Sequence, residues 1–320
     1  MKLIRYAVGL AVFAAISYGA DQALLSLVPA GAQMVSGLDI ERARESAFGQ
    51  KILNEIKQED AGFQKMVEQT GFDPRRDLRS VVMATSGKPG PGNTLVAVRG
   101  SFDMSKITRL AEAQGAQSSI YKGIQVWTPK QTEKPSEGSF AMLDPTLAVF
   151  GGDAMVKAAI DARMAGAAKL PAGLAAKIAE WSVMDAWFVS TASLSEMGVG
   201  KPGQNEILPG GLTIEAIRES AAGVRFTENV DISGDIVTRS PQDATALADV
   251  MRFLAGMLRL NADKPGAGAV VAVADSMQVS VAGSSTKFTL TVPQETLDQM
   301  FATRGKRVDK RGSAGRAAAR

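Results

Sequence analysis

The sequence contains no cysteine and no histidine. Without cysteine there is no disulfide, no thiolate nucleophile and no Cys-based zinc site. Without histidine the chain lacks the side chain that titrates nearest neutrality, and with it Ser-His-Asp catalysis, HExxH zinc chemistry and His-ligated haem. Carboxylate pairs and Ser-Lys dyads remain as routes to catalysis. Aromatics make up only 6% of the chain, against 32 glycines, so few ring platforms are available for stacking on sugars or bases. At 320 residues and 45% hydrophobic, the chain can still bury a sizeable core, built mainly from Ala, Val, Leu, Ile and Met, in one large or two ordinary domains.

Charge is missing from Tyr6 to Ala20, after the positive start of Lys2 and Arg5. Ser17-Tyr18-Gly19 offers small residues at signal-peptidase spacing, and Asp21 opens a polar chain. This is the plan of a secretory signal peptide covering residues 1–19, cleaved at Gly19–Ala20 or one residue later. The alternative is an uncleaved anchor in the inner membrane. A spanning helix needs about 20 apolar residues, and Asp21 and Gln22 interrupt this run. With no Cys near the cleavage region, lipid attachment there is excluded.

The basic excess sits at the ends. The tail Arg304–Arg320 carries seven basic residues against the single acid Asp309. Without it and the signal the body holds 27 basic and 32 acidic residues, a net charge of −5. That is not a nucleic-acid-binding domain. The tail itself, almost devoid of apolar residues, is expected to be disordered.

Between the ends, two stretches carry the same order of elements. In the first, Met34–Ile40 alternates as a strand. A helix follows through Ile52, Leu53 and Ile56 and resumes with Phe63, Met66 and Val67. Ser80–Thr85 and Thr94–Arg99 form a hairpin around Gly87–Asn93. Asp103 caps a helix carrying Ile107, Leu110 and Ala111. Short strands follow at Ile124–Thr128, Phe140–Leu143 and Thr146–Phe150, then a helix with Val156, Ala159 and Ile160.

The second stretch opens with the strand Ala186–Ser190 and a Gly/Pro-rich segment from Gly198 to Gly211. Strands Ser220–Thr227 and Val230–Thr238 come next. Ser240-Pro241 starts a helix with the stripe Leu247, Val250, Met251, Leu254 and Leu258. A hairpin of Met277–Ala282 and Lys287–Val292 precedes a last helix with Leu297, Met300 and Phe301. These patterns predict an α+β fold of two similar units of mainly antiparallel sheet with packed helices, an internal duplication: residues 20–164 and 183–303, joined by a helical linker at 165–182.

The opening Val28–Ile40, followed by Ser46-Ala47-Phe48-Gly49-Gln50, resembles uncharacterised exported bacterial proteins in which a strand of similar pattern begins the mature domain. That resemblance implies no activity and no site residue.

No motif in the chain supplies a site. Gly87–Asn93 is glycine-rich, but Lys88 precedes Pro89 and a strand follows, so a hairpin loop fits better than a phosphate loop. Asp231, Ser233 and Asp235 share one face of a strand and lack the remaining ligands of a calcium loop. Asp39 and Glu41 could pair as carboxylates only if a second segment completed a cleft. Ser190 and Ser193 are near Lys177 and Lys201 in sequence, without the Ser-x-x-Lys spacing of a dyad. Trp127, Trp181 and Trp187 read as core residues. No catalytic, cofactor-binding or metal-ligating residue is assigned, and no cofactor is expected.

The reading that follows is an exported, non-catalytic binding or scaffold protein of the bacterial cell envelope, periplasmic or secreted. Its partners would be an envelope protein or, through the tail, an anionic surface. A carboxylate-dependent hydrolase of envelope polymers and a membrane-tethered interaction protein are the two other classes open to the chain.

Overall fold

The computed structural model describes residues 21–55, 61–129, 138–166, 170–197, 213–260 and 268–297. The signal segment, the Gly/Pro-rich segment 198–212, Met300, Phe301 and the tail lie outside them. The chain order is α1 (Gln22–Leu25), β1 (Met34–Asp39), α2 (Ile40–Glu45), α3 (Ala47–Glu55), α4 (Ala61–Thr70), α5 (Pro74–Asp77), β2 (Leu78–Thr85) and β3 (Thr94–Gly100). There follow α6 (Met104–Ala113), β4 (Gln117–Tyr121), β5 (Ile124–Thr128), β6 (Gly138–Asp144), β7 (Leu147–Gly152), α7 (Asp153–Ala165) and α8 (Ala172–Trp181). The last part is β8 (Ala186–Ser190), β9 (Ile217–Phe226), β10 (Val230–Thr238), α9 (Pro241–Arg259), α10 (Gly268–Ser276), β11 (Gln278–Ala282) and β12 (Ser285–Val292).

All these strands join one antiparallel twelve-stranded sheet, in the order β11-β12-β10-β9-β8-β1-β2-β3-β7-β6-β5-β4. The fold is α+β. Outward from the central β1–β8 pair the chain order repeats: β1, β2, β3, β7, β6 on one side and β8, β9, β10, β12, β11 on the other. A helix follows the third strand in each half, α6 after β3 and α9 after β10. The first half alone carries the additional β4–β5 hairpin.

Three local readings change. The sequence pattern ended the first strand at Ile40. Instead the Asp39 carboxylate accepts from the Arg42 backbone N–H at 3.0 Å and caps a short helix, α2. Strand β4, where no element was expected, is mostly exposed and polar. Helix α10 is a nearly uniform run of Ala and Val, without the polar face that gives an amphipathic period.

Side chains directly opposite in antiparallel strands point to the same face. Val126, Ala141, Val149, Ala97, Val82, Gly37, Trp187 and Gly223 therefore form one row across eight strands. This first face is closed by α1, α7 and α8. Leu24, Leu27 and Val28 pack there with Val156, Ala159, Ile160, Leu174 and Ile178 in the main core. The row turns polar at Ser233 and Thr289.

The opposite row runs Trp127, Phe140, Phe150, Val96, Met83, Ser36, Phe188 and Ala222. Ser36 apart it is apolar, yet Phe150 and Met83 are each 40% exposed. Among the described residues, helices α2 to α6 cover this second face in the first half incompletely. In the other half α9 packs on it, Leu247 against Ile236.

Candidate ligand site

The incomplete cover leaves two apolar clefts on the second face. The first, about 340 Å³, is walled by Leu38 of β1, by Ile40, Ala43 and Arg44 of α2, by Phe48 and Gly49 of α3, by Pro74 and Arg75 of α5, and by Leu78 and Phe226. The second, also about 340 Å³, lies between the sheet residues Val81, Val96, Val98, Met142 and Phe150 and the residues Met66, Thr70, Phe72, Phe102 and Ile107 around α4 and α6. Pro74 and Leu78 line both, so the clefts sit side by side with α5 as their common wall. Ligand sites are commonly concave and largely apolar, with a few placed polar groups, in this size range.

Local sequence explains the first cleft. The α2–α3 corner is tight: the Ser46 hydroxyl donates to the Ala43 carbonyl at 2.7 Å and accepts from the Gly49 N–H at 2.9 Å. A Cβ on Gly49 would lie 1.6 Å from the Ala43 carbonyl oxygen, so only glycine fits that corner. Ala43 and Gly49 then present almost no side chain to the space above Leu38. The Phe48 and Phe226 rings stack at 5.4 Å along one wall. Phe72 and Phe102 stack at 5.2 Å in the wall of the second cleft.

Two arginines contribute their carbon stems to the wall of the first cleft, and their guanidinium groups are in different states. Arg75 is neutralised: its Nε and one terminal nitrogen donate to the two Asp73 carboxylate oxygens at 2.9 and 2.7 Å, and its guanidinium lies 4.8 Å from the Phe63 ring centre. Those side-chain hydrogen bonds hold the Asp73 carboxyl below its ordinary value and raise that of Arg75. Arg44 forms no ion pair with any described residue. One terminal nitrogen donates to the Leu78 carbonyl at 2.8 Å, while its buried Nε has no hydrogen-bond partner.

The residues singled out in the sequence are not brought together. Asp39 caps α2 and pairs with Arg42 at 3.3 Å, whereas Glu41 is exposed and faces Arg79 at 3.6 Å. Asp231 accepts from Thr291 at 2.8 Å, and Asp235 accepts from Ser285. Ser190 donates to the Ala192 carbonyl at 3.0 Å, Ser193 to Glu196 at 2.9 Å, and Lys177 pairs with Glu219 at 3.1 Å. Lys201 lies outside the described residues. The Gly87–Asn93 segment connects β2 to β3 and contains one 3₁₀ turn, Pro91–Asn93. Trp127, Trp181 and Trp187 are all buried.

Every described carboxyl with a resolved shift (Asp73, Asp77, Asp144, Asp161, Glu196, Asp243) is displaced downward, the direction that favours a permanent anion over a general acid. A third depression of about 460 Å³, between α1 and α8, is lined by no charged side chain among the described residues. Sequence reasoning did not find Arg44, Pro74, Leu78 or Phe226. Nothing in the run Ile40–Glu45 separates Arg44 from its solvated neighbours.

Among the described residues no helix is long and apolar enough to cross a membrane. No protein-family model and no curated protein sequence matches the chain. Solved structures of the protein TP0453 are similar in chain path. Crystal form III gives a TM-score of 0.49 at 11% identity, covering 87% of this chain and 97% of that one. Crystal form IV gives 0.47 at 10% identity, covering 88% and 97%. Crystal form I gives 0.46 at 11% identity, covering 89% and 98%, and no functional residue is transferred from any of the three.

Proposed function

We propose that this chain is an exported, non-catalytic binding protein of the bacterial cell envelope, periplasmic or secreted, whose ligand is apolar. The observation that carries the reading is the pair of adjoining clefts. Together they offer two cavities of about 340 Å³ each, walled almost wholly by carbon, on a sheet face whose own residues are apolar and partly exposed. A closed core would fill such space, because interiors pack to crystal-like density. The signal-like start and the lack of His and Cys support export and a role without catalysis.

The test is a fluorescence titration with the neutral naphthalene probe N-phenyl-1-naphthylamine. The reading predicts saturable binding that falls at least tenfold in Leu78→Trp, which fills the common wall, and persists in Leu260→Ser on the distant end of α9. Binding that Leu78→Trp leaves untouched, in a variant with an unaltered circular dichroism spectrum, contradicts the reading.

A further inference from the structure

We propose that the last turns of α9 and the basic tail together seat the folded protein on the surface of an anionic phospholipid bilayer, resting on it rather than crossing it.

The apolar stripe of α9 outruns its cover. Leu247, Val250, Leu254 and Leu258 recur along the helix at helical spacing. Leu247 and Val250 are 6% and 7% exposed, whereas Leu254 and Leu258 are 50% and 44% exposed. The cause is a change in the side on which the helix packs. Its last turns are held through buried Ala255 and through Arg259, which pairs with Asp275 of α10 at 2.6 Å and donates to the Ala274 carbonyl at 2.9 Å. Ala255 lies about 100° round the helix from Leu254. The stripe is thereby turned outward, and Phe253, 55% exposed, widens it. An apolar helix face with polar flanks lies favourably in the head-group zone of a bilayer.

Charge selects the occupant. The tail from Arg304 to Arg320 carries a net +6, and the last strand runs toward the uncovered stripe. Strand β12 starts beside the beginning of α9, where the Thr286 hydroxyl donates to the Ala244 carbonyl at 2.8 Å. It ends beside α10, where the Ser276 hydroxyl donates to the Thr291 carbonyl at 2.9 Å, next to the Asp275 that Arg259 holds. Arg304 follows Val292 by twelve positions, at most about 40 Å of chain. The polycation is therefore within reach of the stripe. On α9 beyond its first turn and on α10 the acids are Asp249 and Asp275, and each is paired, Asp249 with Arg252 at 3.0 Å and Asp275 with Arg259. A second copy seated on the stripe would bring two such tails together against their repulsion. A bilayer with anionic head groups supplies hydrocarbon for the stripe and negative charge for the tail, and two weak membrane signals of these kinds hold firmly only in combination.

The test is co-sedimentation with vesicles of phosphatidylcholine alone and of phosphatidylcholine and phosphatidylglycerol in equal parts. Wild-type protein should partition onto the mixed vesicles at least tenfold more strongly than onto the neutral ones. That preference should vanish in about 1 M salt, where the screening length falls to about 3 Å. Phe253→Ser combined with Leu258→Ser should weaken binding to the mixed vesicles at least fivefold with the tail intact. In Phe253→Trp the emission should shift to the blue on mixed vesicles, relative to wild type, and be quenched by brominated phosphatidylglycerol. Unchanged partition of the double serine variant, with an unaltered circular dichroism spectrum, overturns the seat on α9 and leaves the tail acting alone. Emission of Phe253→Trp that the vesicles do not change overturns it as well. Equal binding to neutral and anionic vesicles overturns the role of charge. A dimer in sedimentation velocity that the double serine variant abolishes gives the stripe to a second copy and overturns the lipid assignment.

Discussion

Gly37 and Trp187 stand directly opposite each other across the central β1–β8 pair, and the indole lies against the glycine so closely that a Cβ there would fall 2.4 Å from its Nε1. Trp187 is buried in the main core, so it has no room to withdraw. The glycine thus makes space for the largest side chain at the seam where the two halves meet. Gly37→Ala should overpack this seam and destabilise the fold by about 1–3 kcal/mol. Chemical denaturation followed by tryptophan fluorescence measures the loss. An alanine accepted without cost would mean that the seam is looser than described.

The start of the described chain is held as firmly. Asp21 caps α1 by accepting from the Ala23 N–H at 3.0 Å, and its carboxylate is ion-paired with Arg99. It anchors the segment that buries Leu24, Leu27 and Val28. Asp21→Ala removes a cap worth about 0.5–2 kcal/mol and leaves the half-buried Arg99 without its partner. A loss of about 1–3 kcal/mol in denaturant midpoint experiments is expected. A processed protein should therefore retain Asp21. N-terminal sequencing of material from native cells should read Ala20 or Asp21 first, and an intact Met1 in a soluble cytoplasmic fraction contradicts export.

The common wall of the clefts carries a pH dependence. Hydrogen bonds from the Arg75 side chain hold the Asp73 carboxyl below its ordinary 3.8, with burial acting in the opposite direction. The folded state therefore releases the proton more readily than the unfolded state. The resulting stabilisation is fully present above the unfolded value and disappears as pH falls through the folded one. Asp73→Asn keeps a side chain that caps α5 about as well and removes the charge. The stability gap between wild type and Asp73→Asn, measured by urea unfolding, should be constant above about pH 5 and close progressively below about pH 4. A gap that widens in acid has the wrong sign for this account.

Much of the fold is legible in the sequence because its signals are local. Thr94–Gly100 alternates inward and outward residues, Ser240-Pro241 caps α9, and Asp103 caps α6 through the Lys106 N–H at 3.0 Å. Strand β4 was not legible, because Gln117, Ser118 and Ser119 lie on an exposed edge where nothing forces alternation. The β1–β8 pairing was not legible either, since it joins residues some 150 positions apart whose patterns fit many partners. The clefts are the extreme case. Leu38, Arg44, Pro74, Leu78 and Phe226 come from five separate elements, and each reads locally as ordinary core or surface. The cleft they line is space left unfilled, which no residue announces by its type.

The basic tail makes a separate prediction from charge alone. Residues Arg304–Arg320 carry a net +6. Deleting Gly305–Arg320 should leave the thermal midpoint within about 1 °C while abolishing retention on anionic vesicles at low salt, since attraction between exposed charges is screened within about 10 Å at 0.1 M. A large loss of stability would show the tail to be packed against the body, and equal retention with and without it would make the charge incidental.

The most direct test of an apolar ligand on the second face is methyl NMR of protein labelled at valine and leucine, titrated with palmitate. The account predicts saturable shifts at Leu38, Leu78, Val81, Val96 and Val98, and none at Val35, Val82, Val126 or Val149, whose side chains point to the opposite face of the same strands or their neighbours. Saturation without shifts at the first group, or shifts confined to the second, would contradict it.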